Sequence, residues 1–230
     1  NRDYLTGLYN RRYLNDSLQR EFDRCARDGS PVSLLLIEKG TPGFTVGRSL
    51  KKMGWWASDT AELFFDDCRV PVGNLIGVEN MGFACIMGNF QSERLALALM
   101  ANMTAQLALE QSLKWARERE AFGKPIGKFQ VLKHRLAEMA TALEVSREFT
   151  YRQAAKMAAG QSVIKEISMA KNFATDTADR ITSEAVQILG GMGYMRESLV
   201  ERLYRDNRIL SIGGGTREVM NEIISKQMGL

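Results

Sequence analysis

The chain has 230 residues, 45% hydrophobic and 25% charged, with a formal net charge of +4. These ordinary values exclude a disordered or collagen-like chain, and so slight a positive excess, spread without a basic block, is no footprint for nucleic acid or an acidic membrane. One histidine, His134, and three widely spaced cysteines, Cys25, Cys68 and Cys85, exclude a Cys/His metal centre and leave a Ser–His–Asp triad only one possible base.

In chain order, residues 3–28 read as a short loop and then an amphipathic helix. Leu14, Leu18, Phe22 and Cys25 recur on one face, and Asn10 stands at the N-cap. Gly29-Ser30-Pro31 breaks that helix, and residues 32–37 (VSLLLI) form a continuous apolar run, the pattern of a strand buried on both faces. Gly40-Thr41-Pro42-Gly43 is a turn. Residues 44–50 and 61–70 read as strands, the second carrying Glu62-Leu63-Phe64-Phe65 as a sheet-packing segment, with Trp55 and Trp56 also expected in sheet packing. From Gly82 onwards the pattern is helical, over about 82–118, 128–158, 162–189, 197–209 and 216–227, separated by glycine clusters. Four prolines in the whole chain agree with that. Long helices with short connections imply a mainly α fold, an antiparallel helical bundle with a small remnant of β-structure and an N-terminal helix-strand fragment. The longest apolar run, residues 95–101, is core-sized and well short of the ~18 residues that a membrane span needs. The chain opens on Asn1, which suggests a start inside something longer, and its own residues show no secretory signal pattern. A reducing cytoplasm is the expected compartment.

Two family resemblances lie in the one chain. Residues 3–14, DYLTGLYNRRYL, with the helix and apolar run that follow, resemble the opening of a GGDEF (diguanylate cyclase) domain over residues 1–37. In that family the strand leads into magnesium-holding aspartates, guanine-reading residues and the GG(D/E)EF loop. Here Ile37 is followed by Glu38-Lys39-Gly40 and those parts are absent, which argues against nucleotide cyclisation, a reaction that needs phosphate cradling and metal charge.

Residues 38–230 resemble the acyl-CoA dehydrogenase family. The motifs are EKGTPGF (38–44), KKMGWWASDTAELFFDDCRVP (51–71), NMGF (80–83), REREAFGKPIGKFQ (117–130), AVQILGGMGY (185–194), ERLYRDNRI (201–209) and GGGTREVMNEII (213–224), in the family's order. The resemblance implies the tail of a middle β-domain over 38–80 and a C-terminal helical domain over 81–230, in a chimeric chain joined between Val32 and Gly40. It implies an oxidoreductase of fatty acid metabolism that removes an α-proton from an acyl-CoA thioester while FAD takes the hydride from the β-carbon. It leaves acyl-chain length and electron acceptor open and implies a homo-oligomer, dimer or tetramer.

Many family members carry the catalytic carboxylate immediately before the Gly-Thr pair of the last motif. That position is Gly214 here, and glycine cannot abstract a proton. A subset carries the base on the first helix of the domain, and Gln91-Ser92-Glu93-Arg94-Leu95 matches that motif with Glu93 as the base. Independently, Glu93 falls on a helical row with Ile86, Phe90, Leu97 and Met100, all apolar. A carboxylate in an apolar stripe is desolvated, which makes it a better proton acceptor. The plainer reading is a glutamate at the edge of the row, paired with a nearby Lys or Arg.

The resemblance places Gln91 and Arg94 near the thioester and CoA, Arg94 being open also to a structural ion pair. Gly214 and Gly215 then leave room for acyl chain. Arg119, Phe122 and Gln130 match positions contacting FAD, often that of a neighbouring subunit. Gln187, Gly190 and Gly191 match positions against its adenosine diphosphate part, the glycines reading also as a helix C-cap. Thr216 is a good N-cap after three glycines, and the Thr216-Arg217-Glu218 turn lies against the cofactor in the family. Arg205, Asp206 and Arg208 read as structural charges, and His134 as an ordinary helix residue. The family's β-domain encloses the flavin ring, so weak or no FAD retention by this chain alone is expected. The competing reading is a non-catalytic helical oligomerisation module.

Overall fold

A computed structural model describes residues 32–230, so the predicted N-terminal helix and its cap at Asn10 lie outside the described residues. By backbone contacts the chain divides into two compact units, one holding residues 32–49 and Ala61–Asn89, the other Leu50–Thr60 and Phe90–Leu230.

The first unit is built of short antiparallel pairs. Strand β1 (Leu34–Leu35) pairs with β4 (Leu75–Ile76), and β2 (Phe44–Ser49) with β3 (Ala61–Phe65). The apolar run at 32–37 is thus a two-residue edge pairing, not a strand buried on both faces: Leu35 and Leu36 are exposed. A continuous apolar run reads as a buried strand only when layers cover both its faces. The β3 strand stops at Phe65 instead of reaching residue 70, because Asp67 turns the backbone through φ 42°. Phe65 stacks on Phe44 with ring centroids 5.1 Å apart, yet Leu63, Phe64 and Phe65 stay exposed.

The second unit is helical. Helix α1 (Gly82–Glu118) begins in the first unit and continues through the second. It is followed by the small pair β5 (Glu120–Ala121) and β6 (Lys124–Pro125), then α2 (Gln130–Ala158), α3 (Ile164–Leu189), α4 (Gly191–Tyr194), α5 (Leu199–Asn207) and α6 (Arg217–Gln227). The five helices expected from periodicity match within two residues at every end.

Spacing explains the packing. On α2 the buried residues are Leu136, Met139, Leu143, Ser146, Thr150 and Gln153, alternating steps of three and four. Helix α1 contributes Ala98, Ala101, Ala105 and Ala108 at the same steps, and α3 contributes Ala174, Ala178, Ile181, Ala185 and Ile188. A 3.5-residue repeat keeps one stripe facing a nearly antiparallel neighbour, and alanine lets the backbones approach closely. Helix α3 sits centrally, touching α2, α4, α5 and α6. A buried polar cluster ties α1 to α2: Ser146 Oγ donates to Asn102 Oδ1 at 2.5 Å and Asn102 Nδ2 to Thr150 Oγ1 at 3.0 Å.

The two tryptophans sit against helices, not in a sheet. The Trp55 backbone N–H donates to Asp206 Oδ1 at 2.7 Å, and its ring packs on the helical core. The Trp56 ring lies beneath two guanidinium groups, Arg205 at 3.7 Å and Arg196 at 4.3 Å from its centroid. Arg205 also pairs with Glu201 at 2.7 Å and Asp206 at 3.2 Å, so it is structural as read from the sequence. His134 is an exposed residue of α2.

Candidate functional site

Glu93 lies on α1, half-buried. Its apolar row is less uniform than the periodicity implies: Leu97 is buried, Phe90 and Ile86 are half-buried and Met100 is exposed. Glu93 therefore stands at the margin of the stripe, beside Arg94, which is 3% exposed.

Opposite Glu93 runs the glycine turn that leads into α6. Gly214 adopts φ 64° and Gly215 φ 106°, a region in which L side chains are strained. A Cβ placed on Gly214 would stand 3.5 Å from Glu93 Oε1 and 2.7 Å from Leu97 Cδ1. The carboxylate of Glu93 thus lies next to the space that a side chain at position 214 would enter.

Two cations hold this turn. Arg94 Nε donates to the Gly214 carbonyl at 3.1 Å, and Lys171 Nζ on α3 donates to the Gly215 carbonyl at 2.6 Å. Lys171 is 0% exposed, the largest fully buried side chain described. Burial, then the nearby Arg94 charge, pull its ammonium down to about 8, while Glu93 acts in the opposite sense. Burial likewise lowers Arg94, again opposed by Glu93. The residue patterns singled out Arg94 but not Lys171, although the signal is present: Lys171 falls on the row of Ile167, Ala174 and Ala178, where a cation is out of place unless it has partners.

Beyond the turn, the Thr216 hydroxyl caps α6 by accepting from the Val219 N–H, as its position after three glycines led us to expect. The Glu218 carboxyl is held below the usual carboxylate range by a hydrogen bond from Thr216 and by its own backbone N–H. On α1, Gln91 Oε1 is buried without a hydrogen-bond partner among the described residues. The structure therefore brings Glu93, Arg94, Gly214, Gly215 and Thr216 together, and adds Lys171.

The remaining candidates lie on two exposed surfaces. Arg119 follows the end of α1, and Gln130 is the first residue of α2; both are exposed. Phe122 is 96% exposed at φ 53°, in the two-residue turn Phe122-Gly123 that joins β5 to β6. Two positive-φ positions are what a type I′ hairpin demands, and a bulky aromatic is a poor choice for the first. Phe122 meets Phe129 edge-on at 6.2 Å. Gln187 is exposed near the end of α3, and Gly190 (φ 60°) caps it, its N–H bonding back to Val186 and Gln187 carbonyls. A Cβ on Gly190 or Gly191 would meet nothing within 4 Å, so the backbone there is open to close approach from outside. No group of three or more His, Cys, Asp or Glu side chains suited to a metal occurs among the described residues, and none of their helices is long and apolar enough to cross a membrane.

Residues 80–229 match the family model for the acyl-CoA dehydrogenase C-terminal domain, and residues 1–39 match that for the diguanylate cyclase GGDEF domain. An acyl-CoA dehydrogenase of Bacillus subtilis is 43% identical over 197 residues, covering 86% of this chain and 52% of the relative. Among solved structures, a probable acyl-CoA dehydrogenase from Mycobacterium abscessus aligns with TM-score 0.84 at 55% identity, covering 86% of this chain and 52% of that one. Butyryl-CoA dehydrogenase from Megasphaera elsdenii aligns with TM-score 0.84 at 36% identity, covering 89% and 54%. The chain thus spans about half the length of the relatives it matches. Matched by the family model over most of its length and by these relatives over most of the rest, the chain belongs to the acyl-CoA dehydrogenase family.

Proposed function

We propose that this chain carries the proton-abstracting half of an FAD-dependent acyl-CoA dehydrogenase, with Glu93 as the base. The observation that carries this reading is the Glu93 carboxylate, 3.5 Å from where a Gly214 side chain would begin. Residues 38–80 would be the tail of the middle β-domain, 81–230 the C-terminal helical domain and 1–37 a GGDEF-like fragment.

The residues present fit the flavin nucleotide. Open backbone at Gly190 and Gly191 suits close approach of a diphosphate or ribose, and the α6 N-terminus at Thr216 offers backbone N–H groups to polar edges. Arg119, Phe122 and Gln130, all exposed, suit contact with the cofactor of a neighbouring subunit. FAD, when bound, supplies the acceptor for the β-hydride. The chain's own part is proton chemistry: Glu93 takes the α-proton at its carboxylate and becomes neutral. Gly214 keeps the space beside Oε1 free for substrate, and Arg94 and Lys171 hold the turn in place. Gln91, with its unpaired Oε1, and Arg94 line the thioester and CoA side. Exposed apolar side chains on the long helices, Met100, Met103, Val145 and Phe173 among them, support pairing between copies of the chain.

The test is spectroscopic. With FAD no more abundant than the purified chain, the flavin band should bleach anaerobically on addition of an acyl-CoA. Glu93→Gln should keep the band and slow bleaching by at least ~100-fold, the usual contribution of a general base. Full bleaching by that variant would refute the assignment of Glu93. A chain that oligomerises but takes up no flavin would instead favour the non-catalytic helical module.

A further inference from the structure

Lys171 is a buried cation that does not itself take the α-proton. Its position on the apolar stripe of α3 costs solvation, and a methionine there would fill the same space without that cost. What it does make is one short hydrogen bond, 2.6 Å, to the Gly215 carbonyl. One residue earlier, Arg94 reaches across from α1 to the Gly214 carbonyl at 3.1 Å. Two consecutive carbonyl oxygens of one glycine turn are therefore each held by a different cation on a different helix. The position of a Cβ on Gly215 lies 3.8 Å from an Arg94 terminal nitrogen, and that of a Cβ on Gly214 lies 3.5 Å from Glu93 Oε1. Moving the turn by an ångström would therefore change what Glu93 faces.

We infer that Lys171 is a positioning residue for Glu93: with Arg94 it clamps, from the side of α3, the Gly214-Gly215 turn that stands beside the Glu93 carboxylate. The inference rests on the assignment of Glu93 as base only for its catalytic meaning; the clamp and the charge coupling are properties of the protein alone. Charge-assisted hydrogen bonds are the stronger kind, so an ammonium fixes a carbonyl better than a neutral donor would. The charged groups facing Lys171 are Arg94 and Glu93, both from α1, and by linkage removing either must move the Lys171 titration.

The experiment follows the Lys171 side chain by NMR in lysine-labelled protein, without flavin or substrate. In the unaltered chain Lys171 should titrate near 8. In Glu93→Gln its midpoint should fall, because the counter-charge is gone. In Arg94→Met it should rise. In Lys171→Met, amide hydrogen exchange over residues 213–217 should speed up at least ~10-fold while α2 is unchanged, a localised opening that lost packing alone would not confine to the turn. A Lys171 midpoint that ignores both neighbours, or exchange at 213–217 that stays put, overturns the inference. If Lys171→Met does not fold, the titration in Glu93→Gln decides alone, since Lys171 is intact there. The outcomes separate from those for the base: persistent bleaching in Glu93→Gln removes Glu93 from catalysis yet leaves the coupling, whereas absent coupling removes the clamp yet leaves the base.

Discussion

Replacing Gly214 by alanine perturbs the centre of the site with one methyl group, and its cost follows from two independent terms. The backbone sits at φ 64°, where a Cβ costs about 1–2 kcal/mol. The added Cβ would also lie 2.7 Å from Leu97 Cδ1, about 1 Å inside normal carbon–carbon contact. Leu97 is 8% exposed within the main core, so its side chain has little room to retreat, and overpacking of this kind costs about 1–3 kcal/mol. The sum is about 2–5 kcal/mol, measurable as a lower urea midpoint with unchanged slope. The overpacking part disappears if Leu97 is also truncated. Leu97→Ala alone should cost about 2–5 kcal/mol, and the double variant should cost about 1–3 kcal/mol less than the two single losses together. Strict additivity, or a loss below ~1 kcal/mol for Gly214→Ala alone, would show that the turn does not press on Leu97 as described.

Other variants probe separate parts of the structure. Lys171 carries a proton in the unfolded chain up to about pH 10.5 but in the folded one only to about 8, so the unfolded state binds more protons between those values and stability rises with pH there. The penalty is full below about 8 and gone above about 10.5; with a shift of 2.5 units it amounts to about 3 kcal/mol at most, and urea melts of the unaltered chain should show a rise across this window that Lys171→Met lacks. Asn102→Ala strands the Ser146 hydroxyl and leaves a gap between α1 and α2, so a loss of about 2–4 kcal/mol in thermal or urea unfolding is expected. Phe122→Ala should change stability by less than ~0.5 kcal/mol, because the ring is 96% exposed, yet weaken flavin retention by at least ~10-fold in equilibrium dialysis.

The helical half was legible because its stripes are long and regularly broken. Gly190 ends α3 and Thr216 starts α6 by local chemistry that needs no distant partner. Glu93 stood out by charge against its row. The β-segments read less well, since an apolar run such as residues 32–37 carries no information about whether layers cover it, and here Leu35 and Leu36 are exposed. Trp55 and Trp56 depend on Arg196, Arg205 and Asp206, about 150 residues away, a contact that no local period encodes. Lys171 shows the opposite failure, its signal being local but its partners remote: only the fold reveals that a lysine on the apolar row meets a carbonyl 44 residues on.

The buried cations also bear on why the site is built this way. Placing Arg94 and Lys171 in the interior costs solvation, and the single half-buried carboxylate of Glu93 offsets part of that cost only while it is ionised. When Glu93 accepts a proton, both cations lose their counter-charge at once. A lysine already pulled down to about 8 can relieve the excess charge by shedding its own proton at mildly alkaline pH, while arginine cannot. The two cations therefore divide the work: Arg94 holds a fixed charge at Gly214, and Lys171 holds an adjustable one at Gly215. On this account Lys171→Met would loosen the turn beside Glu93 and also abolish any rise or fall in bleaching rate centred near pH 8, and a profile unchanged in that region would separate the positioning role of Lys171 from any part in proton balance.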